Sequence, residues 1–106
     1  MTTFDDRERQ EETRFKHQQE LAFKARNRGN RMFGLWVAEQ LGLSAEEAES
    51  YARDVVIADF DLPGDEDIFT KVRTDLEAKS VEVSDHTLQK RLQECRQLAA
   101  EQIKTE

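Results

Sequence analysis

The run Asp59-Phe60-Asp61-Leu62-Pro63-Gly64-Asp65-Glu66-Asp67 puts carboxylates at the first and third positions, and a glycine at the sixth, of a calcium-binding loop. The rest of that pattern fails. Pro63 stands at position five, Glu66 at eight where an apolar residue belongs, and Thr70 at twelve where a glutamate would close the site with two oxygens. The stretch is expected to be a capped, solvated turn. His17 and His86 have no second His or Cys at ligand spacing, and read as exposed helix residues rather than zinc ligands. Cys95 is the single cysteine, so it makes no internal disulfide and no CxxC site, and it is expected to pack as a small hydrophobe. Ser44 and Ser84 sit where helix caps belong and are read as caps, not nucleophiles. The four glycines, at 29, 34, 42 and 64, build neither GxxxxGK nor GxGxxG. Any nucleotide would be held weakly or through a partner's site. With no nucleophile–base pair and no ligand cluster, the chain is read as a non-enzyme that needs no cofactor and no metal.

Two charged regions remain. Lys24, Arg26, Arg28 and Arg31 cluster beside Trp36. They are a candidate anion patch, set against a solvated helix face that partly pairs with acids at residues 39–67. The N-terminal segment is more informative. Phe4 and Phe15 are 11 residues apart, about three helical turns. As a helix they would share one face, which Ala22 continues, with Arg7, Glu8, Arg9, Glu11, Arg14 and Lys16 around them. This is the pattern of a charged amphipathic helix that docks elsewhere through two aromatic anchors. The alternative is a ragged, solvated extension of the next helix. Ordering fifteen coil residues costs on the order of 15–30 kcal/mol, while burying two Phe returns only about 3 kcal/mol each. A bare coil could not dock on those anchors alone. Either the segment is already partly helical, or a partner supplies a long groove.

The elements that would carry these residues are helical. Residues 1–20 hold few apolar side chains and many good helix formers, with Thr3 and Asp6 as a variant capping box. From Leu21 a periodic stretch runs through Met32, Leu35, Trp36 and Leu41, weakened at Gly29 and Gly34 and stopped at Gly42. Ser44 and Glu47 box the next helix, whose inner residues are Ala48, Tyr51, Ala52, Val55 and Val56; Asp61 to Gly64 end it as a turn. Asp65, Glu66 and Asp67 favour a third helix start, with Ile68, Phe69, Val72 and Leu76 inside. After a connector at 81–83, Ser84 caps a last helix striped by Leu88, Leu92, Cys95, Ala99 and Ile103. The fold class is therefore all-α: a small four-helix bundle at 21–106 with a flexible or partly helical N-terminal segment at 1–20.

Composition agrees. One 106-residue chain with 37% hydrophobic and 37% charged residues supports a modest core and no large substrate cavity. One proline and four glycines argue against an all-β fold. No apolar run reaches membrane-spanning length, and the N-terminus has no signal-peptide pattern, so a cytoplasmic location without membrane insertion is expected. The net charge of −7 disfavours nucleic acid as a partner. It is uneven: residues 1–31 hold eight Lys/Arg and six Asp/Glu, a net +2, and residues 32–106 hold eight and seventeen, a net −9.

Several blocks resemble one family. They are Thr-Thr-Phe-Asp-Asp-Arg-Glu at 2–8, Phe-Lys-Ala-Arg-Asn at 23–27 and Gly-Leu-Trp-Val-Ala-Glu-Gln-Leu-Gly at 34–42. Glu-Ser-Tyr-Ala-Arg-Asp-Val-Val-Ile-Ala-Asp-Phe at 49–60 and Gly-Asp-Glu-Asp-Ile-Phe at 64–69 continue the match, which covers about residues 2–78. The sequence is similar to the zeta subunit, the ATPase inhibitor of alphaproteobacterial F-type ATP synthases. The resemblance implies a four-helix bundle with a mobile inhibitory N-terminus. That segment would wedge as a helix between catalytic and non-catalytic subunits, near the central stalk, and block rotation in the hydrolysis direction. The inhibitory positions carried over are Phe4, Asp5, Arg7, Glu8, Arg9, Arg14 and Phe15. The implied location is peripheral, on the membrane-bound enzyme. One departure stands out: where the family pattern often has Phe, this chain has Glu11, which interrupts the apolar face with a charge. The competing reading is a stand-alone helical binding module, an adaptor or weak nucleotide sensor, using the bundle surface and the Lys24–Arg31 cluster.

Overall fold

The computed structural model describes residues 3–60 and 64–106, with side chains from Arg14 onward. Four helices follow in order: α1 (Thr3–Gln40), α2 (Ala45–Ala58), α3 (Glu66–Ala78) and α4 (Asp85–Thr105). No strand is present among the described residues. The architecture is the small all-α bundle the periodicity predicts.

One difference concerns α1. The stretch beginning at Leu21 and the segment before it form one helix of 38 residues, roughly 57 Å at 1.5 Å per residue. It is the spine of the molecule: α2 packs on it from one side and α4 from the other, while α3 leans on α2. The helix passes through Gly29 and Gly34 unbroken because both are close approaches. A Cβ on Gly29 would lie 2.6 Å from the Arg96 Cα of α4, and one on Gly34 would lie 2.8 Å from the Ala52 Cα of α2. Each glycine lets a neighbouring backbone sit against α1. The local propensity cost is accepted for tertiary contact.

The core is Phe33, Val37 and Leu41 from α1, Val55 from α2, Ile68, Val72 and Leu76 from α3, and Leu88, Leu92 and Cys95 from α4. The α4 stripe is buried at all five expected positions. On α1 the centre of the inner face is Phe33 and Val37, with Met32 and Trp36 packed around it only partly buried. An element gripped on two sides buries a wider arc than one stripe of period 3.6.

The caps are local and follow the sequence. Ser44 Oγ accepts the Glu47 N–H at 3.3 Å and donates to Glu47 Oε1 at 2.9 Å. Ser84 Oγ accepts the Thr87 N–H at 3.1 Å. After α1, Gly42 (φ +73°) donates to the Glu39 carbonyl and Leu43 to that of Ala38, a Schellman closure. The same closure ends α3, where Ser80 takes the left-handed position at φ +56° without being glycine. The Thr3/Asp6 capping side chains and the turn residues Asp61, Leu62 and Pro63 lie outside the described residues.

Candidate functional site: the projecting helix and its root

Helix α1 outruns the bundle. Every side chain from Arg14 to Lys24 is exposed; contact with the body is made by Phe23 and Lys24 at its edge, and partial burial begins at Ala25. Phe15 is 61% exposed, although isolated aromatic rings of this size usually find cover. Of the seven expected inhibitory positions, Arg14 and Phe15 are described, both on this projecting stretch; the side chains of Phe4, Asp5, Arg7, Glu8 and Arg9 lie outside the described residues. Ala22 and Arg26 each fall within about 20° of Phe15, on opposite sides, around the helix at 100° per residue. The face that begins at Phe15 therefore runs straight down to Arg26, where the helix meets the body.

At that root all four helices meet in a polar knot. Asp59, just after α2, accepts Arg26 Nε at 2.6 Å, Arg26 Nη2 at 2.8 Å and Asn30 Nδ2 at 2.9 Å. Its side chain is 4% exposed. Asp65, just before α3, accepts Arg26 Nη2 at 3.0 Å and both Arg96 terminal nitrogens at 3.0 and 2.9 Å. Arg96 Nε closes the circuit by donating to Asn30 Oδ1 at 3.0 Å. Asn30, fully buried, has both ends of its amide satisfied. Two guanidinium groups face two carboxylates, so the cluster is charge-balanced.

The electrostatics follow from that geometry. The hydrogen bond that Arg26 donates to Asp59 pushes the Arg26 pKa up, against the opposing effect of burial. Burial alone would raise the Asp59 value. The hydrogen bond and charge of Arg26, with Asn30 and Arg96, outweigh it and hold the carboxyl below its ordinary range. Asp65 occupies the N-cap position of α3 but makes no side-chain cap bond, because its carboxylate is turned to the arginines. Two carboxylates of the calcium-like run, Asp59 and Asp65, thus serve guanidinium groups, and Asp59 is buried where the sequence predicts a solvated turn. Among the described residues no group of three or more His, Cys, Asp or Glu is placed to hold a metal ion.

The basic cluster divides. Arg26 turns into the knot. Lys24 and Arg28 reach Glu106 at 3.1 and 2.6 Å, and Arg31 reaches Glu49 at 2.7 Å. Those two cations hold the exposed Glu106 carboxyl below its usual value, the Arg28 hydrogen bond first. Lys24, Arg28 and Arg31, joined by Arg53, rim a groove of about 470 Å³ floored by Val56 and Ile57. Just above the knot, the Phe23 and Phe60 rings stack at 5.9 Å between centroids, each 55% exposed. His17 and His86 are exposed, and Cys95 is buried, with burial pushing its thiol pKa up.

Sequence reasoning expected the basic cluster to pair partly with acids at residues 39–67, as Arg26 does with Asp59 and Asp65 and Arg31 with Glu49, but it missed the knot that Asn30 and Arg96 complete. Its partners lie 29 to 66 residues apart, so no local pattern marks them. One signal was available: Asn30 stands in register with Phe33, Val37 and Leu41 at spacings of three, four and four, a polar residue on an apolar inner face.

A family model described as ATPase inhibitor subunit zeta matches residues 1–102. No curated protein matches the chain. Among solved structures, one determined by solution NMR is 40% identical with a TM-score of 0.70, the match covering 78% of this chain and 94% of that one.

Proposed function

The chain belongs to the ATPase inhibitor subunit zeta family, and on that premise we propose that it is a regulatory subunit, without catalysis of its own, that restrains ATP hydrolysis by an F-type ATP synthase. Residues 1–20 act as the inhibitory arm. They insert as a helix between catalytic and non-catalytic subunits beside the central stalk and oppose rotation in the hydrolysis direction. Phe4 and Phe15 are the apolar anchors, and Asp5, Arg7, Glu8, Arg9 and Arg14 make the flanking polar contacts.

The observation that carries this reading is the run of exposed side chains from Arg14 to Lys24 on a helix continuous with the body's spine. Above Phe23 this is a solvated helix with an exposed Phe15. It presents the anchor pattern of a helix that lies in another protein's groove. The subunit would sit on the enzyme peripherally, since no helix among the described residues is long and apolar enough to cross a membrane.

The test adds purified protein to the cognate soluble ATPase and follows hydrolysis. Full-length chain should lower the rate to a plateau, and a chain lacking residues 1–20, with its helical circular dichroism retained, should not. Equal behaviour of the two at saturation would refute the inhibitory arm.

A further inference from the structure

We infer that the Arg26–Asn30–Asp59–Asp65–Arg96 knot is a positioning device that fixes the direction in which α1 leaves the body, an inference that rests on the inhibitory role proposed for the arm. Three observations carry it. The first is place: α1 begins to be buried at Ala25, and the knot grips it at Arg26 and Asn30, within the first turn and a half of that buried stretch. The second is reach. The knot ties α1 to the end of α2 through Asp59, to the start of α3 through Asp65 and to the middle of α4 through Arg96. The third is chemistry. Arg26 grips Asp59 with two parallel N–H donors, and Arg96 grips Asp65 the same way. Such forks define orientation as well as attraction.

A charged cluster of this kind is an inefficient source of stability: its buried member, Asp59, is desolvated, and its half-exposed members, Arg26 and Asp65, are screened by water. What the knot adds is a single geometry. The lever is long: Phe4 is 22 residues above Arg26, about 33 Å of helix, so about 10° of play at the root moves Phe4 by about 6 Å. A wedge displaced that far misses a groove one side chain wide. Arg26 and Asp59 are thus positioning residues for inhibition, acting through the arm's angle and touching no part of the ATPase.

The experiment compares Asp59→Asn and the gentler Arg26→Lys with Val72→Ala, a core truncation in α3 remote from the root. Two readouts are taken. One is the concentration giving half-inhibition of the cognate ATPase. The other is the electron–electron distance distribution between spin labels at Lys16→Cys on the arm and Glu82→Cys on the body, in a Cys95→Ala background. Loss of a charge-assisted hydrogen bond at the root should raise the half-inhibition concentration at least about tenfold and broaden the distribution by about 3 Å. Val72→Ala should lower the melting temperature and move neither readout. An unchanged distance distribution in both knot variants, or a broadened one with unchanged inhibition, would overturn the inference. So would equal effects from Val72→Ala. If the wild-type chain does not inhibit at all, the proposed function falls first, and the distance widths still decide whether the knot sets the arm's direction.

Discussion

Gly29→Ala separates two physical accounts of α1. Helix propensity alone says the change should stabilise: alanine is favoured over an interior glycine by about 1 kcal/mol. The structure says the opposite. The new methyl would stand 2.6 Å from Arg96 Cα, 2.7 Å from Arg96 Cγ and 3.0 Å from Arg96 N. Carbon pairs rest at about 3.5–4.0 Å, so α4 must retreat by about 1 Å, and a backbone atom cannot swing aside as a side-chain end can. Overpacking of this kind costs about 1–3 kcal/mol. The retreat also pulls Arg96 away from its partners. Its bonds of 3.0 Å to Asn30 and of 2.9 and 3.0 Å to Asp65 would stretch to about 4 Å, beyond hydrogen-bonding range. Losing one such charged bond costs about 1.5–3 kcal/mol. After subtracting the propensity gain of about 1 kcal/mol, the net is a loss of about 1.5–5 kcal/mol. For a chain of this size, that is a fall in melting temperature of about 7–22 °C, read by thermal circular dichroism or calorimetry. A melting temperature equal to or above that of the wild type would refute the close-approach reading of α1 against α4.

Gly34→Ala should also destabilise, by about 1–2 kcal/mol, since its methyl meets Ala52 Cα at 2.8 Å but disturbs no charged partner; denaturant midpoints check it. Acid should attack the knot through Asp59. Its folded-state value lies below the ordinary one near 3.8. The stability it contributes is therefore complete above that ordinary value and is lost as pH falls through the lower folded-state one. Chemical denaturation across the acid range should show that limb, and Asp59→Asn should flatten it. Ser80→Gly should stabilise by about 0.5–1 kcal/mol, because the φ of +56° costs a side chain more than it costs glycine; a lower or unchanged melting temperature would count against it. Tyr51, the chain's one tyrosine, has its phenol pKa driven upward by burial and by its 2.8 Å bond to Asp75. Ultraviolet absorbance titration should show no phenolate until alkali unfolds the chain.

The parts of this fold that were legible in the sequence are those decided within a few residues. The caps at Ser44 and Ser84 need only a hydroxyl three residues before an amide, and both formed as read. The α4 stripe needs only a period, and Leu88, Leu92, Cys95, Ala99 and Ile103 are all buried. The illegible parts depend on where separate helices touch. Gly29 and Gly34 read as local weaknesses because propensity sees one helix at a time; their purpose appears only when Arg96 and Ala52 arrive beside them. Asp65 read as a helix-start charge, yet the arginines from α1 and α4 outcompete its own helix N-terminus for the carboxylate. The exposed Phe15 was legible for the opposite reason. A side chain left 61% exposed has its mark in the sequence as a stretch too sparse to bury.

The continuity of α1 also lowers the cost of the docking proposed for such a sparse arm. Taken as coil, fifteen residues would cost on the order of 15–30 kcal/mol to order, far more than two phenylalanines return. Most of the difficulty of making a helix, however, lies in its first turn, which fixes several dihedrals for one hydrogen bond; each later residue adds a bond at close to zero net cost. In this chain the first turn need never form in isolation. Residues 25–40 are held as helix by the core and the knot, and the arm grows from that template. A helix-rich composition of Arg, Glu, Gln and Lys then suffices to carry it upward. On this account the anchors need only outweigh the fraying of a helix already begun. A short stretch with two aromatic residues, and a charge at Glu11 between them, can then bind without a large apolar face.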